Sequence, residues 1–173
     1  AIQNFGAMDV LCTDKTGTLT QDKIVLERHL NVVGEEDDWV LSLAYLNSYF
    51  QAGLRTPLDE AILRHEEVDV RGWEKVDELP LDFERRRVSV LVAREGGPPV
   101  LVVKGALEEI VRLSSRYEVD GTAELRGMDD AARRAMVARF EALGRDGFRV
   151  LGVAWKAAGD GSRPIVRDDE ADL

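Results

Sequence analysis

Cysteine is almost absent. Cys12 stands alone among 173 residues, so no intramolecular disulfide can form. Its setting in Val10-Leu11-Cys12 suits a small buried thiol in a reducing compartment. Histidine is scarce as well: His29 and His65 lie far apart and, with Cys12, offer no metal-ligand spacing. No stretch approaches the roughly 20 consecutive apolar residues that a membrane span requires, and a secretory leader is not expected. Positive charge is in deficit, 23 Lys and Arg against 33 Asp and Glu, for a formal net charge of −10. That balance argues against a nucleic-acid partner, because no basic excess is available to displace counterions along a phosphate backbone. Internal repeats and low-complexity tracts are also missing.

What is present is a chain of ordinary one-domain length, able to remove roughly 70% of its unfolded surface from water. The acids at Glu35 to Asp38 and Asp168 to Asp172 are expected to be solvated helix starts or tails. A mostly extended run, Lys23 to Val33, is broken by Gly34, and four acids then open a helix whose buried stripe is Trp39, Leu43, Leu46 and Phe50. Thr56 caps the next helix, with Pro57 in its first turn and Leu58, Ala61 and Ile62 on its apolar face. Strands are expected at Trp73–Leu79, Val88–Ala93 and Val100–Val103, the last two joined by Gly96-Gly97-Pro98-Pro99 as an antiparallel hairpin. A helix over Ala106–Leu113 and a hairpin over Tyr117–Leu125, turning at Asp120-Gly121, follow. Then come a helix from Asp129 with Ala132, Met136, Phe140 and Leu143 on one face, and a strand over Phe148–Trp155. The expected fold is α+β, a twisted, mainly antiparallel sheet flanked by helices.

The most specific signal is Asp9-Val10-Leu11-Cys12-Thr13-Asp14-Lys15-Thr16-Gly17-Thr18-Leu19-Thr20. Asp14 sits just past an apolar run and opens a turn rich in hydroxyls and amides, where a carboxylate nucleophile able to form an aspartyl-phosphate belongs. Simple aspartate-nucleophile phosphatases carry a second Asp two residues on as general acid and base. Here that position is Thr16, so an acyl-phosphate on Asp14 would be long-lived. Asp14-Lys15-Thr16-Gly17-Thr18-Leu19 resembles the phosphorylation motif of the P-type ATPases.

The resemblance extends inward. Residues 21–157 resemble the nucleotide-binding domain inserted into the phosphorylation domain of that family. Residues 1–20 resemble the linker and first strand of the phosphorylation domain, and 158–173 an acidic return linker. Val103-Lys104-Gly105-Ala106-Leu107-Glu108 is similar to the family segment whose lysine lies at the floor of the adenosine pocket, which implies that role for Lys104, with Gly105 admitting a ligand to the backbone. Leu79 to Val90 resembles the nucleotide-contact strand. Its usual aromatic position falls on Leu81, with Phe83 two residues on and on the same face of a strand, so either residue could stack on adenine. The three adjacent arginines could neutralise a triphosphate, Arg85 or Arg86 being the better placed, and a surface charge run is the alternative for Arg87. Asp59 matches an acid near the adenine amino group, and equally matches a capping arrangement with Thr56. Arg149 matches an arginine that reaches the phosphates.

Asn4 to Asp9, Gln21 to Glu27 and Phe83 to Arg87 are most similar to the magnesium-importing branch found in bacteria. The resemblance implies ATP and Mg²⁺ as cofactors, with Lys15 offsetting charge and Mg²⁺ held between phosphate, the Asp14 carboxylate and the Thr16 carbonyl. It implies as partners the phosphorylation, actuator and membrane domains of a larger protein, with the segment on the cytoplasmic side of a bacterial inner membrane. Asp160 in Gly159-Asp160-Gly161 is followed by no Asn-Asp pair, so the second half of the phosphorylation site is missing. The expectation is a module that binds ATP weakly and does not hydrolyse it. The alternatives are a fragment of an aspartate-nucleophile phosphatase, or a non-catalytic interaction module.

Overall fold

The computed structural model describes residues 23–53, 55–119, 124–159, 161 and 163–173. Cys12, the motif at Asp14, Lys15 and Thr16, the Asp120-Gly121 turn and Asp160 lie outside the described residues.

The chain orders its elements as α1 (Asp38–Phe50), α2 (Pro57–His65), β1 (Trp73–Asp82), β2 (Arg87–Arg94), β3 (Val100–Gly105) and α3 (Leu107–Leu113). These are followed by β4 (Arg116–Glu118), β5 (Leu125–Gly127), α4 (Asp130–Arg145), β6 (Gly152–Ala157) and a 3₁₀ turn at Arg167–Glu170. A four-stranded sheet runs β1-β2-β3-β6, antiparallel at each pairing, and β4 pairs with β5 in a separate ribbon. The α+β expectation holds.

β2 and β3 are central, and their side chains load both faces of the sheet. Leu91, Leu101 and Val103 pack with Ile110 of α3 and with Ile165 and Leu173 from the C-terminal segment. Val90, Val92 and Val102 pack on the other face with Leu43 of α1. A strand buried on both sides reads as a continuous apolar run, as Val90 to Ala93 does. α1 is seated by a polar peg. Asn47 is wholly buried, and its Nδ2 donates to the carbonyls of Val88 (3.3 Å) and Val102 (2.9 Å). Leu43 and Leu46 of the anticipated stripe are buried, while Trp39 and Phe50 are half-buried at its edges. α2 begins with a complete capping box between Thr56 and Asp59.

The run over Lys23 to Val33 joins no sheet; its one ladder contact is a bridge from Leu30 to Glu36. Two expectations are corrected. The last strand occupies Gly152–Ala157 rather than Phe148–Trp155, because α4 continues to Arg145 and the chain turns at Gly147 (φ +92°) before it can enter the sheet. The acidic tail is not simply solvated: Glu170 is completely buried, for reasons given below.

α3 lies close over β6. A Cβ built on Gly152 would stand 2.9 Å from Ile110 Cβ and 3.1 Å from Leu107 Cα, so only glycine permits this approach. Gly152→Ala is expected to destabilise the domain by about 1–3 kcal/mol through overpacking. The urea midpoint should fall with the slope of the transition unchanged, and an unmoved midpoint would mean that α3 can lift without cost.

Candidate functional site

Lys104 is the penultimate residue of β3 and points to the α1 face, where its ammonium is only 4% exposed. A buried ammonium needs a counter-ion and acceptors. Both are present: Nζ donates to Asp59 Oδ1 from α2 and to Ser48 Oγ from α1. Asp59 is itself 3% exposed. Its Oδ1 also accepts from Ser48 Oγ (3.2 Å), and its Oδ2 accepts from the Thr56 amide (2.8 Å) and Thr56 Oγ1 (2.7 Å). These four donors occupy all the lone-pair positions a carboxylate offers. Asp59 is therefore both the cap of α2 and the partner of Lys104, and no acceptor site on it faces outward for an adenine amino group.

The electrostatics follow from burial. Desolvation alone would raise the Asp59 carboxyl, but the Lys104 charge and the hydrogen bonds from Lys104 and Thr56 outweigh it and hold the group at about 2. Burial pushes the Lys104 ammonium below the usual lysine range, against the pull of Asp59. Two of the three Nζ protons have acceptors among the described residues, and Lys104 lines a cavity of about 1230 Å³ together with Leu58, Leu107, Arg149 and Leu151. A largely apolar wall that includes the buried Lys104 ammonium and the exposed Arg149 suits a flat heteroaromatic ligand that carries negative charge at one end.

The other anticipated residues are placed by the β1–β2 hairpin. Leu79 lies opposite Ser89, whereas Asp82 lies opposite Arg87, so the register slips by one residue between them. A one-residue slip exchanges the faces of the sheet. Leu79 packs with the α3-side core, yet Leu81, adjacent to the Asp82–Arg87 pair, falls on the other face in line with Val88 and Lys104. Leu81 is 41% exposed there. Phe83 does not share its face, because the strand ends at Asp82 and Phe83 occupies the turn, 89% exposed.

The arginines divide differently from the expectation. Arg85 is turned inward, pairing with Glu170 and Asp82 and donating to the Pro80 carbonyl (2.6 Å). Arg87, for which the sequence left a surface charge as the alternative, is 7% exposed and bound to Glu170 at 2.7 Å. Arg86 alone of the three is exposed, in a left-handed conformation (φ +54°). Its carbonyl accepts from the Ala106 amide (3.0 Å), and a Cβ on Gly105 would come within 2.5 Å of that oxygen. The close approach permitted by Gly105 is thus occupied by the chain itself. Arg149 lies outside any strand, exposed and lining the cavity. The structure thus gathers Asp59, Lys104, Leu81, Arg86 and Gly105 around one end of the sheet and leaves Phe83 on the tip of the turn. Ser48, which completes the Lys104 cradle, was missed; a hydroxyl one position past the buried Asn47 was its only mark in the sequence.

Asp59→Asn should cost about 3–5 kcal/mol at neutral pH, since it strips a buried ammonium of its counter-ion; urea denaturation measures it. Because the folded carboxyl titrates below the unfolded one, its contribution of about 2 kcal/mol is complete above about pH 4 and lost as pH falls toward 2. The Asp59→Asn chain should lack that part of the acid sensitivity.

Residues 8–169 match the family described as P-type ATPase, cytoplasmic domain N. The whole chain is 48% identical over 178 residues to the magnesium-transporting ATPase, P-type 1, of Escherichia coli K12, and 47% identical to that of Salmonella typhimurium LT2. It is 27% identical over 195 residues to calcium-transporting ATPase 1 of Lactococcus lactis. The chain spans about a fifth of the length of the magnesium-transporting relatives, 20%, and 22% of the calcium-transporting one. No helix among the described residues is long and apolar enough to cross a membrane. The family match across most of the chain, together with a four-stranded antiparallel sheet that delivers a buried lysine to the floor of a cleft, establishes that this chain belongs to the cytoplasmic N-domain family of the P-type ATPases.

Proposed function

We propose that this chain holds ATP and presents its γ-phosphate to Asp14 within a cation-transporting P-type ATPase, with magnesium as the transported ion. The observation that carries the reading is the buried Lys104 at the floor of an apolar cleft, with a proton directed at no described acceptor. In this reading adenosine lies over Lys104 against Leu58 and Leu151, with Leu81 on the same face of the sheet. Asp59 and Ser48 fix the direction of the ammonium. Arg149, exposed in the wall of the cavity, and Arg86, exposed at the same end of the sheet as Lys104, draw the phosphates outward from the cleft. Both guanidiniums are free of hydrogen bonds and ion pairs among the described residues, as a phosphate-binding pair requires. The nucleotide domain contributes binding and orientation, which is most of what phosphoryl transfer asks of a protein.

Asp14, Lys15 and Thr16 supply the acceptor side, as nucleophile, charge-offsetting cation and backbone ligand. The Asp14 carboxylate and Thr16 carbonyl are hard oxygen donors of the kind Mg²⁺ takes, and the ion when bound neutralises charge on the phosphate. Magnesium as the transported ion rests on the similarity to the two magnesium-transporting relatives. In the intact protein this domain would lie on the cytoplasmic side of the membrane, working with phosphorylation, actuator and membrane domains.

Titration of the chain with ATP, followed by amide resonances, should shift Leu81, Val88, Lys104, Gly105 and Leu151 together. Arg149→Gln should weaken binding about tenfold, the scale of one charge-assisted contact, and leave stability within about 0.5 kcal/mol because the side chain is exposed. Phosphate release should stay at background and be unaffected by Asp14→Asn. Resonances that do not move with ATP would overturn the nucleotide reading, and steady release abolished by Asp14→Asn would overturn the claim that this segment does not turn over alone.

A further inference from the structure

Glu170 is the most deeply buried charge in the described chain, with no exposed surface, and it lies on the face of the sheet opposite Lys104. Its Oε1 pairs with Arg85 Nη1 and accepts from Ser89 Oγ, while its Oε2 accepts from Arg87 Nε (2.8 Å) and Nη2 (2.7 Å). The two arginines it holds flank Arg86 on either side. Each is drawn inward to the α3 face, so Arg86 between them is left exposed, with its carbonyl pinned against β3 by Ala106.

The grip extends further. Arg85, once held by Glu170, donates to the Pro80 carbonyl and pairs with Asp82, the two residues that flank Leu81 within the register slip. That slip is what carries Leu81 to the Lys104 face. A single carboxylate from the C-terminal segment thus fixes the turn that aims Arg86 and the irregularity that aims Leu81. It touches neither the cleft nor any residue lining the floor at Lys104.

We propose that Glu170 is a positioning residue for the nucleotide, acting through Arg85 and Arg87 to hold Leu81 on the Lys104 face of the sheet and Arg86 exposed at the same end. The inference rests on the nucleotide reading above. It adds that ATP affinity depends on the C-terminal segment at residues 165–173 being docked on the sheet, although Glu170 itself lies on the face opposite Lys104.

The test uses the full chain. Glu170→Gln should weaken ATP binding about tenfold, with amide changes concentrated at residues 80–89 and those of Ser48 and Lys104 unmoved. Placed on a Leu81→Ala/Arg86→Gln background, the same substitution should cost less than twofold more, because the groups it positions are gone; a general loss of stability would add in full. Arg85→Met, which keeps the Arg87–Glu170 pair and removes only the hold on Pro80 and Asp82, should weaken binding in the same direction and covers the case in which Glu170→Gln does not fold. Unchanged affinity in Arg85→Met or in folded Glu170→Gln overturns the inference while leaving the nucleotide reading intact, as does a full additive loss on the double background. An unsubstituted chain that does not bind ATP overturns both.

Discussion

A lysine ammonium cannot be taken out of water without partners, and much of this domain is arranged around that constraint at Lys104. β3 carries the residue to the end of the sheet, α2 brings a carboxylate and α1 a hydroxyl, and the two helices must converge there for the charge to be tolerated. The cap of α2 is drawn into the same cluster, because Asp59 serves the helix with one oxygen and the lysine with the other. Local helix initiation and the floor of the cleft are consequently one structure. A change to either is felt by both.

The sheet then separates two charged clusters by its own thickness. On the α1 face lie Lys104 and Asp59; on the α3 face, Glu170 with Arg85 and Arg87. Both sit at the same end, around the β1–β2 turn and the end of β3, and the one-residue slip in β1 lets side chains cross from one cluster's face to the other's. The apolar residues of β2 and β3, loaded on both sides, hold this end rigid. Tight packing between the clusters gives each a fixed frame against which to act.

Much of this could be read from the residues themselves. The caps at Thr56 and Asp129, the helical stripe through Leu43 and Leu46 and the Gly-Pro turn after β2 are local signals, and the structure follows them. The position of Lys104 came from a strand that ends in Lys-Gly. What could not be read were the terms set by distant contacts. Nothing near Asp59 says that its cap and its ion pair coexist, because the partner is 45 residues away. The inward turn of Arg85 and Arg87 depends on Glu170, more than 80 residues on, so the run Arg85-Arg86-Arg87 read as three similar charges. The slip in β1 is marked only by Pro80, which cannot donate to the ladder, and a strand counted without the slip places Phe83 beside Leu81.

α4 stands apart from this rigid end. None of its 16 residues from Asp130 to Arg145 is buried, and Met136, Phe140 and Leu143 only border the cavity. Its polar anchors to the neighbouring element are few, chiefly Arg133 donating to the carbonyls of Val111 and Ser114 at the end of α3. With so little apolar surface removed from water, the helix has its own low threshold for opening. Backbone amides of α4 should therefore exchange with solvent deuterium through local events, long before those of β2 and β3, which can be reached only when the whole domain comes apart.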